Sequence, residues 1–265
     1  MLRNEDSQRD PPVSRPSGTP LVPVSAEAFA TRKRRIVSAW IGAGVLVSLL
    51  AAWTYRRSVD PIEAQRALEE GRRLLKTTRY PEAILSFDHA LALKRDLADA
   101  YLLRGEARMA VSILEPAIED FNTVIRMRPG DAEAFVDRAE AHLRQENYQA
   151  VIADCGEALA RNSKIELAYN LRGIARRQSG SPQQALEDLN RSIELAPDES
   201  NYFQRAATYQ MMGQHKQALA DLDQVIALKP DGPQAYFARA QSRRALGDTA
   251  GANQDHRQAL LLDAR

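Results

Sequence analysis

Residues 132–165 are AEAFVDRAEAHLRQENYQAVIADCGEALARNSKI, and a stretch of the same design recurs along the chain about every 34 residues. An aromatic residue stands at the fourth place of five copies, and a small residue follows four places later in all six. The aromatic residues are Tyr101, Phe135, Tyr169, Tyr202 and Tyr236, and the small ones are Gly71, Gly105, Ala139, Gly173, Ala206 and Ala240. A period of this length is typical of proteins built from stacked repeats.

Each copy contains two apolar runs at helical spacing, separated by a short break. The segments RMRPGD, LAPDES and LKPDG close three of the copies, and proline with aspartate suits the end of one helix and the cap of the next. A single pair of helices cannot bury its own apolar face, so the pairs must stack. We therefore predict six helical hairpins, at 64–97, 98–131, 132–165, 166–198, 199–232 and 233–265.

The pattern resembles the tetratricopeptide repeat (TPR) family. The matching motifs are [YF]-x-x-R-[GA] in the first helix and [AV]-x-x-D-x-x-x-[AVS]-[LI] in the second. The resemblance implies an all-α fold, a right-handed α-solenoid whose first helices line a concave groove for peptides or proteins. Cys155 and His256 stand where the family has a bulky apolar side chain, so both are expected in core packing positions.

Charged residues also recur with the repeat. Units two to six carry an arginine in the first helix and an aspartate sixteen residues later, namely Arg104, Arg138, Arg172, Arg205 and Arg239 with Asp120, Asp154, Asp188, Asp221 and Asp255. The first unit has Glu70 and Ser86 at these places, so both partners are missing together. We therefore predict that each arginine pairs with the aspartate of its own hairpin, and that these arginines do not form anion sites.

The sequence indicates no catalytic chemistry. The four histidines fall at unrelated places of the repeat, and no C-x-x-C, H-x-x-x-H or glycine-rich phosphate loop occurs. We predict a non-enzymatic protein with no metal or cofactor, and an inert, buried thiol at Cys155. Residues 64–265 carry 27 basic and 29 acidic side chains, a balance that argues against nucleic-acid binding.

The family resemblance places residues 2, 5, 6, 9, 12 and 13 of each unit in the groove. In units one to three these places include six acidic residues, Glu69, Asp99, Glu106, Glu133, Asp137 and Glu140, beside the basic residues Arg72, Lys76 and Arg144. In units four to six they hold no acid, and the predicted partner-binding residues are Asn170, Arg177, Phe203, Gln204, Met211, Phe237, Gln241 and Arg244. The phenylalanines would anchor a peptide, the amides would bind its backbone, and Arg177 and Arg244 would hold an acidic or C-terminal end. The Lys/Asn clamp of family members that bind chaperone tails is absent.

A different segment precedes the repeats. Residues 36–55 are uncharged and lie between the basic clusters RKRR and RR, and twenty helical residues span about 30 Å, the thickness of a bilayer core. We predict a retained transmembrane helix, since a cleaved signal peptide would have a shorter apolar run. A disordered tail (1–35) would precede it and a linker (56–63) would follow. More basic residues before the span than after it favour a cytoplasmic N-terminus and a periplasmic repeat array at a bacterial inner membrane.

These features together predict a single-pass membrane scaffold or adaptor that binds a protein or peptide, in envelope assembly, secretion or chaperoning. Two alternatives stay open: a cytosol-facing docking receptor, in protein import or signalling, or a recruiter of a separate enzyme. Small residues in the anchor, Ser38, Gly42, Gly44 and Ser48, leave a homo-oligomer open as well.

Overall fold

The structure, a computed structural model, describes residues 45–50 and 60–264. The chain divides into two compact units, Met1–Arg57 and Ser58–Arg265. In the first unit, residues 45–50 are helical with exposed side chains. The described part of the second unit is all-α and contains helices α1 (60–76), α2 (Tyr80–Leu93), α3 (Ala98–Ala110), α4 (Leu114–Met127), α5 (Ala132–Arg144), α6 (Tyr148–Arg161), α7 (Glu166–Gln178), α8 (Pro182–Leu195), α9 (Glu199–Met211), α10 (His215–Leu228), α11 (Pro233–Ala245) and α12 (Thr249–Asp263).

Helices α3–α12 pair as successive hairpins, and α1 packs on α2 through Leu68, Leu74 and Phe87, which confirms the predicted solenoid of helical hairpins. The last four residues of the predicted linker, 60–63, are helical and belong to α1. The predicted tail (1–35) lies outside the described residues.

A three-residue turn joins the two helices of every hairpin, and its middle residue adopts a left-handed conformation. Glycine takes this place in the last three hairpins, where Gly180, Gly213 and Gly247 have φ of 79°, 72° and 84°. In the first three hairpins Thr78, Ser112 and Glu146 take it instead, with φ of 57°, 60° and 58°. The left-handed region costs about 1–2 kcal/mol for a residue with a Cβ atom. The packing of the two helices therefore holds these three turns in place.

Aspartate caps several helices, as the sequence predicts for the segments between units. The Asp131 carboxylate accepts hydrogen bonds from the backbone N–H groups of Glu133 and Ala134 at the start of α5. Asp198 accepts from the N–H of Asn201 at 2.8 Å. These bonds satisfy amide donors that have no partner inside the helix.

Close packing inside the hairpins pairs a small residue with a large one. Phe87 and Phe121 are fully buried, and a Cβ atom on Gly105 would lie only 2.6 Å from the Phe121 ring. Cys155 is fully buried in the equivalent place, as predicted. The same prediction for His256 is wrong, because its side chain is exposed. Among helices α2–α12, α12 contacts only α11, so no described helix covers that side of His256.

The curvature of the array follows from which helices touch. The first helix of each hairpin is called here an inner helix and the second an outer helix. Inner helices of successive hairpins contact each other from α3 to α11, whereas the outer helices α2–α12 make no contacts among themselves. The inner helices therefore lie on the concave side, and their exposed residues form the groove.

Candidate functional site

The first half of the groove contains acidic side chains, several of which are neutralised within the chain. Asp99 binds Arg72 at 2.8 Å and Arg128 at 2.7 Å. Glu140 binds Arg144 at 2.7 Å, while Arg144 also donates to the carbonyl oxygen of Met109. These pairs are half exposed, and each contributes little to stability. Because these five charged side chains are paired within the chain, they are less available to a partner.

Asp137 lies at the centre of the acids that remain. It is half-buried on α5, and no ion pair or hydrogen bond involves its carboxylate in the described structure. Burial, together with the negative charges of Glu106, Glu140, Glu133 and Asp131, raises the pKa of Asp137 to about 7. Burial also raises the pKa of Glu106, which Arg72 partly offsets. Both carboxylates are thus poorly solvated and would be stabilised by a cation.

In the second half of the groove, three predicted binding residues are engaged inside the fold. Asn170 is only 4% exposed and donates a hydrogen bond to Asn201 of the next hairpin. Arg177 donates to the backbone and side-chain oxygens of Gln204 at 2.9 and 3.0 Å, and burial lowers its pKa. Asn170 is therefore not accessible to a partner. Arg177 and Gln204 form a hydrogen-bonded bridge between two hairpins.

The other five predicted residues remain accessible in the groove. Met211 is 58% exposed, and Gln241 and Arg244 are exposed as well. Phe203 and Phe237 are half-buried, and the Phe237 ring meets His256 edge-to-face at 5.4 Å. This contact holds the Phe237 ring against its own hairpin with part of its surface open to solvent.

One further exposed residue of the groove is not among the predicted binding residues. Leu167, the second residue of its unit, is 43% exposed on the inner helix α7. The family rule for groove positions includes this place, so the signal was present in the sequence. Half-buried Ile174 lies two helical turns further along the same helix.

The predicted arginine–aspartate pairs are confirmed in all five hairpins. The Nε and Nη2 atoms of each arginine donate to the two carboxylate oxygens of the aspartate sixteen residues later, at distances from 2.5 to 3.0 Å. The carboxylates of Asp120, Asp188 and Asp255 also receive Nη1 of a second arginine, which is Arg108, Arg176 and Arg243 respectively. The pairs are internal to the fold and carry no free anion site.

These arginines also bridge neighbouring hairpins, which the sequence reading did not predict. The remaining Nη1 atom reaches the outer helix of the preceding hairpin in four cases, at Asp88, Asn122, Asn190 and Asp223. At the remaining junction, between the third and fourth hairpins, the equivalent residue is Gly156, which has no side chain that could accept a hydrogen bond. Arg172 therefore pairs with Asp188 alone. The arginines thus connect each hairpin to the next except at that junction.

Potential metal ligands among the described residues do not cluster, and the one cysteine and a half-buried histidine have shifted pKa values. No group of three or more His, Cys, Asp or Glu side chains among them could hold a metal ion. Burial raises the pKa of the Cys155 thiol to about 12, so this cysteine stays protonated. Burial lowers the pKa of His142, whose Nε2 lies 4.0 Å from Asp154 in the packed interior.

The predicted membrane span (36–55) lies largely outside the described residues. Its described part, 45–50, is helical. Within the described ranges, no helix is both long and apolar enough to cross a bilayer.

Comparison with known proteins identifies the class. Models described as "Tetratricopeptide repeat" match residues 114–155, 167–199 and 203–262, together just over half of the chain. The chain belongs to the tetratricopeptide repeat family. Its fold and family define a protein-interaction scaffold.

Relatives and similar structures come from several settings. Hsc70-interacting protein 1 of Drosophila melanogaster is 33% identical over 110 residues, which are 41% of this chain and 29% of that protein. Small glutamine-rich tetratricopeptide repeat-containing protein 2 of Saccharomyces cerevisiae is 25% identical over 39% of this chain and 30% of its own length. The matched part thus spans less than a third of these relatives. The solved structure of PilW, a type IV pilus biogenesis factor, matches with a TM-score of 0.68 and 19% identity over 74% of this chain and 91% of that one.

Proposed function

We propose that this protein is a single-pass membrane adaptor whose groove binds a peptide or protein partner. The observation that carries the binding role is the accessible apolar surface of Phe203, Met211 and Phe237 on the concave side of the array. Aromatic and methionine side chains in a concave surface are typical of binding sites. The likeness to PilW in fold is compatible with a role in envelope assembly or secretion.

Membrane attachment rests on the sequence of residues 36–55 and the charge difference across them. In this proposal the N-terminus lies in the bacterial cytoplasm and the repeat array works in the periplasm. At most about eight residues separate the span from the first predicted repeat, so the start of the array would lie within about 30 Å of the membrane surface.

Replacing Phe203 and Phe237 together by alanine should weaken partner binding about 10- to 100-fold, since buried aromatic anchors dominate binding energy. A photocrosslinking amino acid in place of Gln241 should form a discrete adduct with the partner in cells, and the double variant should lose it. Leu85 and Leu228, which are exposed on the outer helices α2 and α10, provide the control. Leu85→Ala with Leu228→Ala should leave the adduct intact. An adduct that survives Phe203→Ala/Phe237→Ala would contradict binding in the groove.

The sidedness of the array can be measured separately. Alkaline phosphatase, which is active only outside the cytoplasm, should be active when fused after Arg265, and green fluorescent protein fused there should stay dark when exported through the general secretion route. The opposite result would place the groove in the cytosol and favour the docking-receptor alternative. A soluble fusion in both cases would contradict the membrane anchor itself.

A further inference from the structure

The open apolar residues of the groove form one surface along three inner helices. It is called here the apolar strip and consists of Leu167, Ile174, Phe203, Met211 and Phe237. Helices α7, α9 and α11 carry these residues, and each of these helices contacts the next. Helix α7 also contacts α5. One end of the apolar strip, on α7, therefore lies beside α5, the helix that carries Glu133 and Asp137.

Three carboxylates next to the apolar strip make no ion pair or hydrogen bond within the described structure. Arg72 and Arg144 are held by Asp99 and Glu140. Lys76, the last residue of α1, lines a surface pocket together with Glu69, Arg72, Arg73 and Leu103. No ion pair or hydrogen bond of the described structure involves the carboxylates of Glu106 or Asp137, or that of Glu133. A half-buried carboxylate among other acids is an electrostatic defect that a ligand cation would correct.

The arginines of the groove do not favour an acidic partner. Both Nη atoms of Arg177 donate to Gln204, so a carboxylate would have to break those bonds first. Arg244 is exposed on α11, at the opposite end of the strip from α5. A partner with several acidic residues along its length would meet Glu133, Glu106 and Asp137 at the other end.

We propose that the partner segment is a basic amphipathic peptide, with apolar side chains on the apolar strip and a lysine or arginine at Asp137, between Glu106 and Glu133. This inference rests on the proposed function, because it names the chemistry of the ligand of the same groove. The ammonium or guanidinium group would supply the charge-assisted hydrogen bonds that the Asp137 carboxylate lacks. The neighbouring acids would also favour approach of a positive segment over a negative one.

Short random peptides displayed on phage, selected on the purified full-length chain, test this directly. Selected peptides should combine bulky apolar residues with lysine or arginine. The strongest of them, labelled for fluorescence anisotropy, should bind Asp137→Asn and Glu133→Gln about tenfold more weakly than the unaltered protein. Glu187→Gln is the matched control, because Glu187 is exposed on the outer helix α8 and the substitution removes the same charge outside the groove.

Binding in the groove and the basic character of the ligand can be contradicted separately. If the selected peptides depend on Phe203 and Phe237 but are neutral or acidic, the groove stands and the basic partner is wrong. If Asp137→Asn and Glu133→Gln bind a basic peptide as tightly as Glu187→Gln does, the proposed binding of a lysine or arginine at Asp137 is wrong. If no peptide is selected, or binding is unchanged in Phe203→Ala/Phe237→Ala, the proposed groove function fails together with this inference.

Discussion

Asp188→Ala should lower the free energy of unfolding by about 3–5 kcal/mol, because removing one partner of a buried ion pair leaves the other charge uncompensated. Asp188 is 3% exposed and accepts hydrogen bonds from Arg172 and Arg176 at 2.7 to 3.0 Å. Burial acts to lower the pKa of Arg172, but the hydrogen bonds and charge of Asp188 raise it overall. Arg172 therefore stays charged, and in the variant it would be a half-buried cation without its carboxylate.

The position of Asp188 makes the effect larger than at the equivalent aspartates. In Asp120→Ala, Arg104 keeps a second carboxylate in Asp88 of the preceding hairpin, whereas Arg172 faces Gly156. Asp188→Ala should thus destabilise more than Asp120→Ala in urea unfolding followed by circular dichroism. Glu187→Gln, the exposed neighbour, should change stability by less than about 0.5 kcal/mol. Equal effects of Asp188→Ala and Glu187→Gln would show that the buried pairs are not structural.

Some contacts of the buried arginines could be predicted from the sequence and others could not. The own-hairpin partner of each arginine was predictable, because both residues recur with the period and are missing together in the first unit. The bridge to the preceding hairpin was not predictable, because the residue type at the acceptor position is not fixed. Asp88 and Asn122 accept the bond at two junctions, whereas Gly156 at the same position of the third unit offers no side chain. A variable residue can make a regular contact when the partner side chain is long and offers several donors.

The groove residues, too, could be predicted from the sequence only in part. Phe203, Met211 and Phe237 lie on inner helices, but the family positions could not show that Asn170 is buried. That burial depends on Asn201, which stands where the neighbouring units have alanine, and the two amides meet only once the hairpins stack. The left-handed conformation of Thr78 and Glu146 was not predictable either, since glycine, and less strongly asparagine or aspartate, signals that conformation in a sequence.

Asp137→Asn should stabilise the protein at alkaline pH by about 2–3 kcal/mol, because the amide cannot acquire the charge that the folded groove disfavours. The pKa of Asp137 is raised from 3.8 to about 7, so between these values the folded state holds a proton that the unfolded state has released. Stability from this group is therefore present at low pH and is lost as the pH rises toward 7. The gap between variant and unaltered protein in urea unfolding should widen by about 2 kcal/mol from roughly pH 4.5 to pH 8.

A gap that stays constant with pH would mean that the Asp137 carboxylate is well solvated in solution. The predicted stability gain also bears on function, because the same substitution is expected to weaken binding of a basic peptide. A residue that destabilises the free protein and strengthens a complex is typical of a binding site, where a group is held ready for a ligand at a cost to folding. A rise in stability together with a loss of affinity in Asp137→Asn would separate this role from a purely structural one, for which both quantities would change in the same direction.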